Sequence, residues 1–448
     1  MTAHLRSFLA AINASYWFYP ALFSILAFVL ALVTIMLDRS FAAEMISNTK
    51  YLVPARPDGA STMLQVIAST TIGVAATVFS ITIAAVAYAS GTYGPRLLTN
   101  FMEDKGNQLS LATFIGTFVY SVMVLRVVRA EDEAAASAQA AASDGLPGFV
   151  PQLSLLVATG LMLASIAVLV FFLNHIPDSI RINTVLKQIG ERLIRQIKHR
   201  FPHNGSDIEQ PEPPDGKIVS VTSAGYIEII DFSGLEDIAK RTDSVIVLKA
   251  EAGDFVHPPM ALVQIAADDP DDTLIEEILG CFVLSGLRTP TQDLGFLLDE
   301  LVEIALRALS PGINDPFTAM TALHWIGAAT AELGGRVLAD SPNDDRAQST
   351  DRRVIPIMTG FDGYVAAGFG AARSVVATSR KATFAMFDAM QNCASALNNR
   401  DRVQVLLKEG DLLMSQAADA LSGPDLAEVH DRHLAFRANL SNNRQAAD

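Results

Sequence analysis

Four long, uncharged apolar blocks occupy the first 175 residues of this 448-residue chain, and none of that kind follows. They are Trp17–Leu37, Met63–Tyr88, Leu109–Leu125 and Leu153–Leu173. Crossing the hydrocarbon core of a bilayer takes ~20 residues of helix. Inside lipid every backbone amide and carbonyl needs a partner, which a helix supplies within itself. The blocks therefore predict an integral membrane protein with four transmembrane helices in a domain of residues 1–175. Signal-peptide apolar regions run about 7–15 residues. The first block is longer, and is expected as a retained helix.

Charge narrows the partners. A formal net charge of −15 argues against nucleic acid, because backbone phosphates demand clustered Lys and Arg. Cys281 and Cys393 form neither a C-x-x-C pair nor a disulfide framework, as expected of a reducing compartment. Orientation follows the short-loop cations. Arg181, Lys187, Arg192, Arg195, Lys198 and Arg200 form a basic collar after the fourth block, and Arg96 and Lys105 lie in the second connection. The third connection is acidic at Glu131-Asp132-Glu133. Arg39, Lys50, Arg56, Arg126 and Arg129 pull the other way, but the collar outweighs them. Both termini are expected in the cytoplasm.

Residues 1–16 read as a short interfacial helix, and 38–62 and 129–152 as outer loops, with a low-complexity run at Ala134–Ser143. Residues 176–214 read as a basic amphipathic helix followed by a proline-rich linker, Pro202–Pro214. The helix has Ile182, Leu186, Ile189, Leu193 and Ile197 on one stripe; it either continues the fourth span inward or lies on the headgroups. A small β module follows at 215–266, with strands at Lys217–Val221, Tyr226–Asp231, Ser244–Lys249 and Ala261–Ile265. Its Gly253–Leu262 stretch resembles the turn-and-strand unit of barrel-sandwich domains. Pro259 replaces a glycine of that pattern and no exposed hairpin lysine is present, so the likeness implies a β module and no carried cofactor.

Residues 267–448 read as a helical cytoplasmic domain. Its best helix is Pro290–Leu309, expected to be capped by Thr289 with Gln292 completing a capping box. Further helices are expected at about 316–331, 360–377, 381–397, 402–421 and 425–440.

Enzyme signatures are missing: there is no phosphate-binding G-x-x-x-x-G-K-[ST], no H-E-x-x-H and no G-x-S-x-G. No catalytic residue, metal site or cofactor is expected. The loop Ser310–Pro316, with Asp293, Asp299, Glu300, Glu303 and His324 near it in sequence, is the densest polar constellation. Asp293, Glu300, Ser310, Asn314 and Asp315 are candidates for holding a small ion or other ligand, since carboxylates and an amide suit hard cations. The plainer reading has Asn314 or Asp315 capping the helix opened by Pro316, and Asp299, Glu303 and Arg307 as one solvated face.

The second block carries the other candidate face. Ser69, Gly73, Thr77, Ser80, Ala84 and Gly91 recur every three or four residues, giving a stripe of small and hydroxyl-bearing side chains. Such a face lets membrane helices approach closely or lines an aqueous path. No Asp, Glu, Lys, Arg or His lies within the four blocks, which disfavours pumps and voltage sensors.

Two segments resemble a family. One comprises Phe79-Ser80-Ile81-Thr82, Tyr93-Gly94-Pro95-Arg96-Leu97-Leu98 and Phe114-Ile115-Gly116-Thr117-Phe118-Val119-Tyr120. The other is Gln292-Asp293, then Ile304-Ala305, then Arg307 through Pro316, then Thr318-Ala319. Together they look like the bacterial predicted-membrane-protein family known as domain of unknown function 2254. The resemblance implies an inner-membrane protein and brings no activity. The residues themselves favour a homo-oligomeric channel or pore whose cytoplasmic domain regulates it. The rival is a membrane-anchored scaffold or sensor that binds a partner.

Overall fold

The computed structural model describes residues 15–42, 56–94, 104–129, 149–201, 215–266, 271–338, 353–357 and 359–442. The interfacial helix expected ahead of Ser15, the run Ala134–Ser143 and the linker Pro202–Pro214 lie outside them. Two compact units emerge: a membrane unit within residues 11–181, and a C-terminal unit from Ile182 onward that also takes in Thr92–Gly94.

The membrane unit holds four helices long and apolar enough to cross a bilayer: α1 (Phe18–Leu37), α2 (Pro57–Tyr93), α3 (Lys105–Leu125) and α4 (Gln152–Ser179). All but the first extend past the apolar blocks. At 1.5 Å per residue, the 37 residues of α2 run for about 55 Å, well beyond a ~30 Å hydrocarbon core. Small residues decide the packing. Gly116 of α3 sits against the backbone of Phe23 in α1, where a Cβ would lie 3.4 Å from the carbonyl oxygen. Ala27, Ala31, Leu64, Ile67, Tyr120, Val124, Leu155 and Ala158 form one buried cluster. Ala75, Val78, Leu111, Phe114, Phe172 and Ile176 form a second. Large apolar side chains such as Ile25, Phe79 and Leu163 face outward, as expected where lipid is the solvent.

The C-terminal unit begins with α5 (Ile182–Arg200), set off from α4 at Ile180 and Arg181. Its apolar stripe Leu186, Ile189, Leu193 and Ile197 is buried against α8 (Leu294–Ala308) and α9 (Pro316–Gly334). The headgroup alternative is therefore corrected: the stripe belongs to a protein core. The β strands are β1 (Lys217–Ser220), β2 (Gly225–Ile230), β3 (Val245–Leu248), β4 (Phe255–Val256), β5 (Ala261–Ala266), β6 (Phe282–Ser285) and β7 (Val354–Ile355). They make a four-stranded sheet of order β1-β5-β3-β7 and a three-stranded sheet of order β4-β2-β6. Helices α6 (Phe232–Arg241) and α7 (Asp272–Leu279) pack against them. The outermost strands β6 and β7 come from beyond residue 266, inside the stretch read as purely helical. Their runs of two and four residues are too short to register as strands alone.

Helices α10 (Phe361–Val365), a π-helical turn at Ala366–Gly370, α11 (Ala371–Val376), α12 (Arg380–Ser395), α13 (Arg400–Ala420) and α14 (Gly423–Asn442) complete the unit. Its best-read helix needs a correction. Helix α8 starts at Leu294, not Pro290, and Asp293 caps it by accepting from the Phe296 amide at 3.0 Å. Thr289 turns to Thr291 instead. Gln292 closes no capping box: its side-chain amide donates to the Ile230 carbonyl and its oxygen accepts the Ile230 amide, pinning β2.

Candidate functional site

The stripe on α2 faces out of the membrane unit. Leu64, Ile67, Thr71, Ala75, Val78, Thr82 and Val86 form the buried side of this helix. Ser69, Gly73, Thr77, Ser80, Ala84 and Gly91 are all exposed on the opposite side, interrupted near its start by Val66. Among the described residues, nothing beyond their own stretch of helix lies within 4 Å of where a Cβ would stand at Gly73 or Gly91. The close approach that small residues permit is thus made by Gly116 inside the unit and left unused along α2. The hydroxyls on the stripe turn back on their own helix: Thr77 donates to the Gly73 carbonyl at 3.0 Å, Ser80 to Ala76 at 2.9 Å and Ser69 to Val66 at 3.2 Å. Each remains able to accept a further bond.

Among the described residues, the charged groups that structure the membrane unit sit at helix ends. Asp38, just past the last turn of α1, is buried and caps α4 from across the chain. Its carboxylate accepts the Leu153 and Ser154 amides at 2.9 Å each and the Ser154 hydroxyl at 2.7 Å. A negative charge at a helix N-terminus complements both its free amides and its dipole. Thr34 and Tyr120 bond at 2.9 Å, and the Tyr120 hydroxyl reaches the Ser154 carbonyl, extending the network into the bundle. Asp104 caps α3 through the Gly106 and Asn107 amides, and both its oxygens lie 2.9 Å from His175 Nε2 on α4. Gly106 is required there, because a Cβ would strike His175 Nε2. Phe171 stacks on the His175 ring at 5.0 Å. Thr117 and Ser165 share one more buried bond at 3.0 Å.

The polar constellation of the C-terminal unit disperses. Asp293 stands at the start of α8 and Asp315 beyond its end, so the 15 residues of the helix hold them about 22 Å apart. Arg288 bridges Asp293 and Asp299, at 2.5 Å to each. Burial pushes the Asp293 carboxyl above its ordinary range, and the Arg288 charge and the Phe296 amide only partly counter it. Glu300 is buried on α8, and Glu303 pairs with Arg307 one turn on. Ser310 donates to the Arg307 carbonyl, and Asn314 takes a left-handed φ of 49°. Asp315 accepts the Phe317 and Thr318 amides and the Thr318 hydroxyl, which is the capping role of the plainer reading. No group of three or more His, Cys, Asp or Glu able to hold a metal ion occurs among the described residues. His324 is exposed on α9.

Asp38, Asp104 and His175 escaped the sequence reading because they flank the apolar blocks. Their signal was position: an acid one residue past or just before an apolar run is a cap candidate. The pair of half-buried Arg373 and buried Glu409, at 2.7 Å, had no sequence signal, since 36 residues separate its members. Burial drives the thiols of Cys281 and Cys393 up to about 12, so neither is a ready nucleophile.

A family model described as a predicted membrane protein, DUF2254, matches residues 13–392. An uncharacterised protein of Mycobacterium tuberculosis strain H37Rv and another of Mycobacterium bovis are each 30% identical to this chain over 308 residues. The match covers 66% of this chain and 57% of each relative, so the chain spans little more than half the length of the curated relatives it matches. No solved structure matches it.

Proposed function

We propose that this chain, which belongs to the DUF2254 family of predicted membrane proteins, forms a homo-oligomeric channel or pore in the bacterial inner membrane. Its C-terminal unit, with a barrel-sandwich-like β module, regulates the opening from the cytoplasm, where both termini lie. The observation that carries this reading is the outward stripe Ser69, Gly73, Thr77, Ser80, Ala84 and Gly91 on α2. Lipid gains nothing from a row of glycines and hydroxyls, whereas neighbouring subunits meeting along it gain close packing, and a small ion passing it gains hydroxyl oxygens. No catalysis and no cofactor enters the reading. The test is ion flux from proteoliposomes under voltage, membrane tension or an osmotic gradient. Flux above that of empty vesicles supports a channel, and its absence under all three overturns it.

One observation favours the second reading, a membrane-anchored scaffold or sensor. The stripe hydroxyls are already bonded to their own helix, which suits a dry subunit contact as well as a wet one. An oligomer without flux supports that alternative.

A further inference from the structure

Four helices of the C-terminal unit start or end at the same end of it, the end at which the chain enters from the last span. Ile182 opens α5 only three residues after Ser179 closes the last span, a covalent reach of at most about 11 Å. From there α5 runs parallel to α9. Gly190 sits against Trp325, Lys198 lies 3.5 Å from Glu332, and Arg336 donates to the Phe201 carbonyl at 2.8 Å. Helix α8 runs the opposite way, since Gln196 donates to the Pro290 carbonyl and Arg200 to that of Gln292. Helix α12 runs parallel to α9, with Ala389 against Gly327 and Leu397 against Gly334. The start of α5, the end of α8, the start of α9 and the start of α12 therefore share one end of the unit. It is the end that the chain enters three residues after the last candidate span closes.

The loop between α8 and α9 presents two large apolar side chains at this end. Ile313 is 44% and Phe317 64% exposed, and Pro311 and Gly312 beside them are exposed too. The Lys381 ammonium, from the first turn of α12, stands 4.9 Å from the Phe317 ring centroid. The other charges nearby are committed: Arg307 to Glu303, Arg380 to Asp425 and Glu428, and the Asp315 carboxylate to the amides that it caps. An aromatic ring, a branched aliphatic chain and a lysine on a capped, rigid loop match the headgroup boundary of a bilayer, where rings sit at the interface and lysines reach the phosphates. We propose that Ile313, Phe317 and Lys381 form a membrane-docking tip that holds the C-terminal unit against the anionic surface of the same bilayer.

The full-length chain in lipid nanodiscs tests this. Ile313→Cys and, as control, Leu287→Cys carry the same fluorophore, the native cysteines being buried. Leu287 is also an exposed apolar residue, at 76%, but it precedes α8 and so lies at the opposite end of that helix. With bromine on the lipid acyl chains, the probe at 313 should lose about half its fluorescence and the probe at 287 almost none. Quenching at 313 should be stronger in phosphatidylglycerol than in phosphatidylcholine, and Lys381→Ala should erase that preference. Phe317→Ser, on the exposed surface, should weaken quenching without unfolding the unit. Equal quenching at 313 and 287 overturns the proposal. So does a probe at 313 that is shielded from aqueous iodide yet indifferent to bromine, because another protein surface then covers the tip.

Discussion

The two units solve the same polar-group problem in opposite ways. In the membrane unit, charge among the described residues is confined to helix ends, where Asp38 and Asp104 each bind free amides of a following helix, and mid-span hydroxyls such as Ser80, Thr117 and Ser165 bond to nearby backbone or to one another. In the C-terminal unit, charged side chains enter the interior as pairs: Arg373 with Glu409, and Arg288 with Asp293. The difference follows from solvent. A span cannot borrow water for an unpaired amide, whereas a protein core admits an ion pair if both members stay bonded. Asp38 and Asp104 of the membrane unit therefore serve as helix caps, whereas the C-terminal unit, which caps helices with acids too, also takes acids into its interior as partners of arginine.

Removing one member of each device should separate the units in an unfolding experiment. Glu409→Ala leaves the half-buried Arg373 guanidinium without this partner, which should destabilise the C-terminal unit by about 3 kcal/mol. Thermal unfolding followed by helix signal should show that loss with the membrane unit unaffected. Asp38→Ala strips three hydrogen bonds from the start of α4 and should cost about 2–3 kcal/mol in the membrane unit. Asp38→Asn, which still accepts, should cost about half as much. A shift confined to the wrong unit in either case would break the contrast.

Smaller effects sharpen it. Gln292→Ala frees the Ile230 amide and carbonyl and should lower stability by about 1–2 kcal/mol, with protection of the β2 amides from hydrogen exchange falling first. Asp315→Ala should cost about 1 kcal/mol as a lost cap. Neither that variant nor the wild type should gain melting temperature from Mg²⁺, Ca²⁺, Mn²⁺ or Zn²⁺, since a ligand stabilises only a state that binds it. The smallest effect is electrostatic. Burial favours protonating Glu332, but Arg336 and Lys198 outweigh it and hold its carboxyl below the ordinary value of 4.5. A depressed carboxylate contributes stability above its unfolded pKa and loses it as pH falls through the folded one. Glu332→Gln should therefore flatten the stability curve below about pH 4.5 and leave neutral pH little changed.

Much of this was legible along the chain because the forces involved are local. Apolar run length identified the four spans, period identified α5 and the C-terminal helices, and the small-residue stripe of α2 could be read at its true spacing. What stayed hidden depends on distant pairing. Asp293, rather than Thr289, caps α8 because its carboxylate is held in place by Arg288, while Gln292 is recruited by a strand more than 60 residues earlier. Strands β6 and β7 exist only because β2 and β3 offer free edges to them. The stripe's exposure was equally unreadable, because spacing gives a face but not what lies against it.

The central claim, that the α2 stripe borders a path for ions between subunits, is met most directly by thiol chemistry in conducting proteoliposomes. Thr77→Cys places a thiol on the stripe, and Ile72→Cys places one on a flank of the same helix, 40% exposed. A water-soluble, membrane-impermeant methanethiosulfonate cation should modify position 77 and block flux, while position 72 stays unreactive in lipid. A thiol at 77 that resists the reagent, or reacts without any change in flux, would contradict the account.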